Sequence, residues 1–303
     1  LLKGAQRRNL NVHEYVSKQF LRDYGCTTEF GVMATTIDEV KAACAKIKTD
    51  KKVVKSQILA GGRGKGTFTD GFQGGVHVCS GTDTAIETAT KMLGNTLVTK
   101  QNGPNGHQVQ KLFVTEAIPN IKRELYVALV LDRKTCSPTF IGSSEGGMGI
   151  EELAAEKPHM IKKMPISIHE GINKDATLKY CAELGFTGAA AEASAKQLIV
   201  YQLAKAKDCT MVEINPLVEL ESGDVMCIDA KLSFDDNAHF REVWEFEDKT
   251  QIHREGRQYP DFDTSSTANA EGELSTAAKF AVNRIDRHGS SAAASSSAGK
   301  TTF

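Results

Sequence analysis

Alternating apolar and polar residues predict a β-hairpin late in the patterned part of the chain. The alternation runs through residues 211–218 and returns through 227–231, with the turn-forming cluster 221–224 between them. We therefore expect a hairpin that is symmetric about Ser222. A slip of one residue in its register would move every side chain to the opposite face of the sheet.

The predicted register brings four polar residues to one face of this hairpin. Symmetry about Ser222 places Asn215 opposite Asp229 and Glu213 opposite Lys231. All four side chains point to one face, because residues two apart along a strand share a face. An amide oxygen beside a carboxylate suits Mg²⁺, which takes few protein ligands and leaves its other positions to water and phosphate. A polar, solvent-facing sheet surface with one cross-strand ion pair explains the same pattern. The hairpin alone leaves both interpretations open.

Helical and strand-like patterns alternate irregularly through the rest of the chain. Helices are predicted over residues 11–24, 37–47, 82–93, 150–157 and 189–206. Strands are predicted over 52–59, 75–78, 111–116, 124–132 and 139–143. Because strands and helices do not alternate strictly, the pattern predicts an α+β fold with antiparallel sheets and argues against a doubly wound parallel sheet.

Two of these helices begin with a pattern that resembles a capping box. Asn11 followed by Glu14 predicts the start of the first helix, and Thr36 followed by Glu39 predicts the start of the second. Gly25 is a natural end for the first helix. Glu14 is thereby interpreted as a helix-start residue.

Composition indicates an ordinary globular protein. Of the 303 residues, 40% are hydrophobic and 25% are charged, and 37 Lys and Arg face 38 Asp and Glu. No global basic field attracts nucleic acid, and no apolar run has the length of a membrane span. The seven cysteines show no C-x-x-C spacing, which argues against a zinc site or a disulfide framework. We expect no nucleic-acid partner, no membrane partner and a reducing compartment.

Both ends of the chain differ from its middle. Residues 1–10 are basic and contain no acidic residue, like the end of an organelle transit peptide or a short basic arm of a cytosolic protein. Polar and charged residues dominate 247–303, which includes a low-complexity segment at 289–299. We expect a folded domain over 11–246, followed by a largely disordered tail.

A glycine-rich basic loop follows the strand at 52–59. Residues 61–66 contain four glycines together with Arg63 and Lys65, but they match neither a Walker loop nor a Rossmann turn. The arrangement predicts a flexible flap over phosphate groups, with Lys55 of the preceding strand beneath it, as in protein kinases. A plain flexible turn and a surface lysine are the competing interpretation.

Two glutamates flank a short connection between predicted strands. Glu116 ends one strand, Glu124 begins the next, and Pro119 lies between them. A carboxylate at such a crossover accepts hydrogen bonds from ribose hydroxyls, while neighbouring backbone groups contact an adenine edge. Ordinary solvation at strand ends explains both glutamates equally well. The eight histidines form no nucleophile motif, so we assign none of them a catalytic role.

Seven short motifs together resemble the β subunits of succinyl-CoA synthetase, a family with the ATP-grasp fold. In chain order they begin at Asn11 (NVHEY), Val53 (VVKSQ), Ala60 (AGGRGK), Lys122 (KRELY), Ser144 (SEGG), Glu213 (EINPLV) and Asp229 (DAKL). The resemblance covers residues 10–245. It implies an ATP-grasp domain over 11–246, with α/β subdomains over 27–110 and 111–246 around a nucleotide cleft.

The resemblance also implies roles at matching positions. ATP or GTP would be bound by Lys55, Gly62, Arg63, Gly64, Glu116, Pro119 and Glu124. Asn215 and Asp229 would hold Mg²⁺. The segment 26–30 matches neither nucleotide-specific variant of the family, so the choice between ATP and GTP stays open.

The reaction of the family requires a second subunit. Succinyl-CoA and phosphate give succinate, CoA and a phosphohistidine on an α subunit, and the phosphoryl group then passes to a nucleoside diphosphate. We therefore expect a heterodimer with an α subunit, no catalytic residue in this chain, and a location in the mitochondrial matrix or a related organelle.

The expected second ligase domain of the family is not recognisable after residue 247. The alternatives are a truncated product, a subunit that retains nucleotide binding without turnover, and a relative that uses malate or citrate.

Overall fold

The computed structural model describes residues 10–146 and 150–238. Within these ranges the helices are α1 (Glu14–Asp23), α2 (Ile37–Lys46), α3 (Thr82–Met92), α4 (Ile150–Glu156), α5 (Lys174–Glu183), α6 (Gly188–Gln197) and α7 (Val200–Ala206). The strands are β1 (Leu10–Asn11), β2 (Gly31–Ala34), β3 (Lys51–Ser56), β4 (Thr67–Phe68), β5 (Val76–Ser80), β6 (Thr96–Val98), β7 (His107–Gln108), β8 (Leu112–Glu116), β9 (Ile121–Asp132), β10 (Ser137–Ser143), β11 (Ile161–Pro165), β12 (Cys209–Leu220), β13 (Val225–Cys227) and β14 (Ala230–Phe234).

The described strands form three sheets. The largest has the order β1-β14-β12-β9-β10-β11, with β13 also paired to β12. The second has the order β2-β8-β3-β5, and the smallest has the order β4-β6-β7. These named strands pair only antiparallel within the described part of the chain, which confirms the predicted α+β class.

Two apolar clusters fill the described region. One lies between the largest sheet and helices α1, α5, α6 and α7, and it includes Leu21, Leu125 and Phe140. The other lies between the four-stranded sheet and helices α2 and α3, and it includes Val40 and Val54. The division into subdomains at 27–110 and 111–246 stays a prediction.

The hairpin has the predicted register. Glu213 pairs with Lys231, and Leu217 pairs with Cys227, so both pairs are symmetric about Ser222. The turn contains Gly223 at φ 88°, a backbone conformation that favours glycine. Buried and half-buried residues alternate over 212–215 on one strand and over 225–227 and 230–232 on the return, and this alternation favours the observed register.

The predicted start of the second helix is confirmed, whereas that of the first is wrong. The Thr36 hydroxyl accepts a hydrogen bond from the Glu39 N–H at 3.2 Å. Asn11 instead lies in β1, which pairs with β14, and its side-chain oxygen accepts a hydrogen bond from the Ser233 hydroxyl at 2.7 Å. Helix α1 therefore begins at Glu14 without an Asn11 cap, and the Glu14 side chain is buried.

The helix predicted over 189–206 is divided in two. At the break, the N–H groups of Leu198 and Ile199 donate to the carbonyls three residues earlier, which is the tighter 3₁₀ spacing. Strand β11 and helix α5 were not predicted. Asn173, whose side chain caps α5 through a 3.0 Å bond from the Ala176 N–H, is the signal that could have located this helix.

Several sequence expectations concern ends, thiols and membranes. The predicted tail at 247–303 and nearly all of the basic segment at 1–10 lie outside the described residues.

All seven cysteines are free thiols, and all except Cys136 are buried, as expected for small core residues. None of the helices in the described ranges has the length and apolar character that a membrane span requires.

Candidate functional site

Six charged side chains converge in the interior near the glycine loop and the hairpin. They come from α1, from the connection between α1 and β2, from β3, from the loop and from the hairpin: Glu14, Lys18, Glu29, Lys55, Arg63 and Asp229. We call these six residues the ion cluster. It contains three cations and three anions, so the fully ionised cluster is neutral. Such pairing is what makes the burial of charged groups tolerable.

Lys55 has its three ammonium protons engaged. Its Nζ donates to Glu14 Oε1 at 2.7 Å, to Glu29 Oε1 at 3.0 Å and to the Ile228 carbonyl at 3.2 Å. Burial acts to lower the pKa of Lys55, but the carboxylates of Glu14, Glu29 and Asp229 outweigh it and raise the pKa above its ordinary value. The amine therefore stays charged, and Lys55 is a buried cation rather than a surface lysine.

Arg63 connects the glycine loop to the hairpin. Its Nη1 donates to the Ser56 carbonyl at 2.9 Å, and its Nη2 donates to Glu14 Oε2 at 2.8 Å and to Asp229 Oδ2 at 3.1 Å. The predicted flexible flap over phosphate groups stays a prediction; in the structure the loop contacts the hairpin through Arg63. Residues 63–65 form a 3₁₀ turn, and the guanidinium points into the protein interior while Lys65 is exposed.

The glycine loop is held by the segment that leads into β5. The Gly75 N–H donates to the Arg63 carbonyl at 2.8 Å, and the Gly74 N–H donates to the Gly66 carbonyl at 2.8 Å. A Cβ at Gly75 would lie 2.6 Å from Ser56 Oγ, closer than real Cβ contacts. Glycine at this position thus permits the close approach that places Arg63 beside Asp229.

Asn215 and Asp229 are neighbours, as the hairpin register predicts. The Asn215 N–H donates to the Asp229 carbonyl at 3.0 Å, and the Asp229 side chain keeps 28% of its surface exposed. Burial and the nearby Glu14 carboxylate raise the pKa of Asp229, against the opposing effect of Arg63 and Lys55. The amide and carboxylate oxygens are hard donors that fit Mg²⁺. Arg63 Nη2 already contacts both carboxylate oxygens of Asp229, so a cation there would share this carboxylate with the guanidinium or replace it.

No larger metal-ligand set accompanies this pair. Over residues 10–146 and 150–238, no group of three or more His, Cys, Asp or Glu side chains is arranged to hold a metal ion. A divalent ion here would therefore depend on water or phosphate oxygens for its remaining ligands, as Mg²⁺ usually does.

Three members of the ion cluster were missed as site residues in the sequence: Glu14, Lys18 and Glu29. The Lys18 ammonium contacts both carboxylates and lies 5.6 Å from the centre of the Phe113 ring. Burial and the Lys55 charge lower the pKa of Lys18. The available signal was that Glu14 and Lys18 fall on the same buried stripe of α1 as Leu21, where apolar residues are expected.

The remaining predicted nucleotide residues lie elsewhere. Glu116 Oε1 accepts a hydrogen bond from the Phe30 N–H at 2.8 Å. Glu116 and Pro119 line a groove of about 380 Å³ whose other lining residues include Leu220 and Met226. Glu124 is exposed on β9, opposite Val218. The structure thus brings together Lys55, Arg63 and the hairpin pair and leaves Glu116, Pro119 and Glu124 apart from them. The binding roles of all these residues stay predictions.

Comparison with known proteins gives both a family and a set of relatives. A family model for an ATP-grasp domain matches residues 11–219. The mitochondrial ADP-forming succinate–CoA ligase subunit beta of Dictyostelium discoideum is 43% identical over 249 residues, which cover 81% of this chain and 56% of that protein. The hydrogenosomal ADP-forming subunit beta of Neocallimastix frontalis is 41% identical over 254 residues, covering 83% and 58%.

A GDP-forming relative is equally similar. The mitochondrial GDP-forming succinate–CoA ligase subunit beta of Dictyostelium discoideum is 44% identical over 251 residues, which cover 81% of this chain and 59% of that protein. The chain therefore spans less than two thirds of the length of these relatives.

Solved structures share the fold at low sequence identity. ATP citrate lyase from Methanothrix soehngenii, in complex with citrate and coenzyme A, aligns with a TM-score of 0.58 at 18% identity, covering 79% of this chain and 55% of that one. The dinucleotide-forming acetyl-coenzyme A synthetase 1 of Ca. Korarchaeum cryptofilum aligns with a TM-score of 0.54 at 17% identity, covering 75% and 94%. The resemblance drawn from the ordered motifs is thus confirmed, and the chain belongs to the ATP-grasp family.

Proposed function

We propose that this chain binds a magnesium nucleotide as the β subunit of a succinate–CoA ligase. In this role it passes a phosphoryl group between a phosphohistidine on an α subunit and ADP or GDP. The support from relatives is the identity of 41–44% to subunits named as ADP-forming or GDP-forming. The α subunit, succinate and CoA are proposed partners on the same basis. We also propose the mitochondrial matrix or a related organelle as its location, since these relatives are mitochondrial or hydrogenosomal.

The observation that carries the proposal is the contact of Arg63 with Asp229. It joins the glycine loop to the hairpin, so the groups that we propose to bind phosphate and metal lie side by side. Phosphoryl transfer asks a protein mainly for positioning and for neutralisation of charge. Lys55, Arg63 and the backbone N–H groups of Gly62 and Gly64 would contact phosphate oxygens. Asn215 and Asp229 would hold Mg²⁺, which when bound neutralises further phosphate charge.

Calorimetric titration tests the binding part of this proposal. ATP and GTP are each titrated with and without Mg²⁺ into the wild-type chain and into Asp229→Ala. We expect Mg²⁺ to strengthen binding of one or both nucleotides. In Asp229→Ala this Mg²⁺-dependent increase in affinity should be smaller by at least about tenfold. Asp224→Ala is the matched control, because Asp224 is an exposed aspartate in the turn of the same hairpin. An equal loss in both variants would remove the metal assignment.

Labelling tests the catalytic part. The chain is mixed with a succinate–CoA ligase α subunit and a nucleoside triphosphate labelled at its γ-phosphate. Histidine labelling of the α subunit that requires this chain supports turnover, whereas nucleotide binding without labelling supports the alternative of a non-catalytic nucleotide-binding subunit. A chase with CoA and either succinate, malate or citrate identifies the acid, because only the true substrate discharges the labelled histidine.

A further inference from the structure

One carboxylate binds both of the cations that we assign to phosphate. Glu14 accepts a hydrogen bond from Lys55 through Oε1 at 2.7 Å and from Arg63 through Oε2 at 2.8 Å. The two cations belong to different elements, since Lys55 lies in β3 and Arg63 lies in the glycine loop. The Glu14 carboxylate therefore sets the separation between the ammonium and the guanidinium.

Each of these cations also contacts the hairpin, and these contacts are longer. Lys55 reaches the Ile228 carbonyl at 3.2 Å, and Arg63 reaches the Asp229 carboxylate at 3.1 Å. The cations thus lie between Glu14 on one side and residues 228–229 on the other. Phosphate oxygens that enter from the hairpin side would replace the contacts to 228 and 229. The contacts to Glu14 would persist.

Glu14 is itself held in place by its helix. It is the first residue of α1, where the positive end of the helix dipole favours a carboxylate. Lys18, one turn later, contacts Glu14 Oε1 at 3.3 Å and also contacts Glu29. A buried carboxylate on a helix, supported by a second buried ion pair, has little freedom to move. This is the support that a preorganised binding site requires.

We propose that Glu14 is a positioning residue that holds Lys55 and Arg63 at the separation needed to bind adjacent phosphate groups of a nucleoside diphosphate or triphosphate. The inference rests on the proposed nucleotide function. It concerns a residue that acts through Lys55 and Arg63. Glu14 does not contact the nucleotide in this arrangement. Its effect is therefore confined to the part of the affinity that depends on the number of phosphate groups.

Two substitutions separate positioning from charge. Glu14→Asp keeps the negative charge but is one methylene shorter, so its carboxylate cannot reach both cations. Glu14→Gln keeps the length but removes the charge. If Glu14 only balanced charge, the aspartate variant would bind like the wild type, and the glutamine variant would bind polyphosphate more tightly because the cluster would gain a net positive charge.

The measurement is the affinity for the mono-, di- and triphosphate of one nucleoside, by calorimetry at constant Mg²⁺. We expect the gain in affinity from monophosphate to triphosphate to fall about tenfold or more in Glu14→Asp, the effect of losing one charged hydrogen bond. Monophosphate affinity should change less than about twofold. Glu219→Gln is the matched control, because Glu219 is also a buried carboxylate that holds two cations and lies outside the ion cluster. It should keep the wild-type gain.

Three outcomes would overturn the positioning role and leave the proposed function intact. They are a wild-type gain in Glu14→Asp, an equal loss for monophosphate and triphosphate, and tighter triphosphate binding by Glu14→Gln. If the aspartate variant does not fold, the glutamine variant decides: a smaller gain supports the inference, and an unchanged or larger gain overturns it. A wild-type chain that binds no nucleotide would instead remove the proposed function itself.

Discussion

Two ion groups of this protein are each organised by a buried carboxylate that holds two cations, yet their surroundings differ. In the ion cluster, Glu14 holds Lys55 and Arg63. In the second group, Glu219 of β12 accepts hydrogen bonds from Lys122 and Arg123 of β9. Lys55 and Arg63 also contact Ile228 and Asp229 of the hairpin. Both cations of the second group come from β9, which pairs with the strand that carries Glu219.

The further contacts of Arg123 in the second group are to uncharged groups. Arg123 Nη1 donates to the Leu184 carbonyl at 2.9 Å, and the guanidinium carbon lies 4.5 Å from the centre of the Phe186 ring. Lys122 extends into solvent. The difference teaches that a buried carboxylate with two cations does not by itself mark a binding site. Arg123 also joins two elements, but its second contact is the Leu184 carbonyl, whereas Lys55 and Arg63 reach Ile228 and Asp229 beside the proposed metal pair.

The largest effect should follow from Lys55→Ala. The change leaves Glu14 and Glu29 buried with one cation fewer, and breaking such a pair costs about 3–5 kcal/mol of folding stability. It also removes a proposed phosphate ligand, so affinity for the magnesium nucleotide should fall about 100-fold or more. Urea unfolding measures the first effect and calorimetry the second. Unchanged nucleotide affinity would show that Lys55 serves only the fold and would erase the contrast between the two groups.

A smaller effect, limited to stability, is expected from Glu219→Gln. Burial acts to raise the pKa of Glu219, but hydrogen bonds from Lys122 and Arg123 hold it below the ordinary value of 4.5. Because the pKa is lower in the folded state than in the unfolded state, the stabilisation is present above the unfolded value and is lost as pH falls through the folded one. We expect the variant to lose about 2 kcal/mol at neutral pH and to bind nucleotide normally.

Urea unfolding of wild type and Glu219→Gln over a range of pH checks this sign. The difference in unfolding free energy between the two proteins should shrink as the solution is made acidic, below the ordinary pKa of a glutamate. A difference that does not depend on pH would mean that packing of the side chain, rather than its ionised form, stabilises the fold.

The smallest effect is expected from Lys122→Ala. Lys122 and Lys55 each bind a buried carboxylate at 2.7 Å, but the Lys122 side chain is 56% exposed and the Lys55 side chain only 7%. Exposed ion pairs contribute about 0.2–1 kcal/mol because water solvates the partners well when they separate. We expect a loss in that range by urea unfolding. A loss that equals that of Lys55→Ala would show that contact length, and not burial, sets the effect.

Local patterns in the sequence located much of the fold and half of the ion cluster. The hairpin register followed from strict alternation about a turn, and Thr36 identified the start of α2 through its own side chain. Lys55, Arg63 and Asp229 were selected because a glycine loop and an amide–carboxylate pair are local features. Each of these signals acts within a few residues, so it is visible without knowledge of tertiary structure.

The features that were missed depend on distant parts of the chain. Asn11 pairs with β14 rather than capping α1, and no local pattern contains that competition. Glu14, Lys18 and Glu29 pair with one another and with Lys55 and Arg63, which lie far away in the sequence, so their roles require the tertiary fold. Gly75 approaches the glycine loop after β4 and donates to the Arg63 carbonyl, a contact that the local prediction of a flexible flap did not contain.

The contact between Lys55 and Ile228 has a consequence for how the protein is made. These residues are 173 positions apart. At synthesis rates of about 5–20 residues per second, roughly 10 to 30 s pass between their emergence from the ribosome. Throughout that interval the Lys55 ammonium lacks its Ile228 partner, while its carboxylate partners Glu14 and Glu29 have already been synthesised. At this place the nascent chain therefore presents charged groups beside the apolar faces of α1 and β9, which the last strands also cover.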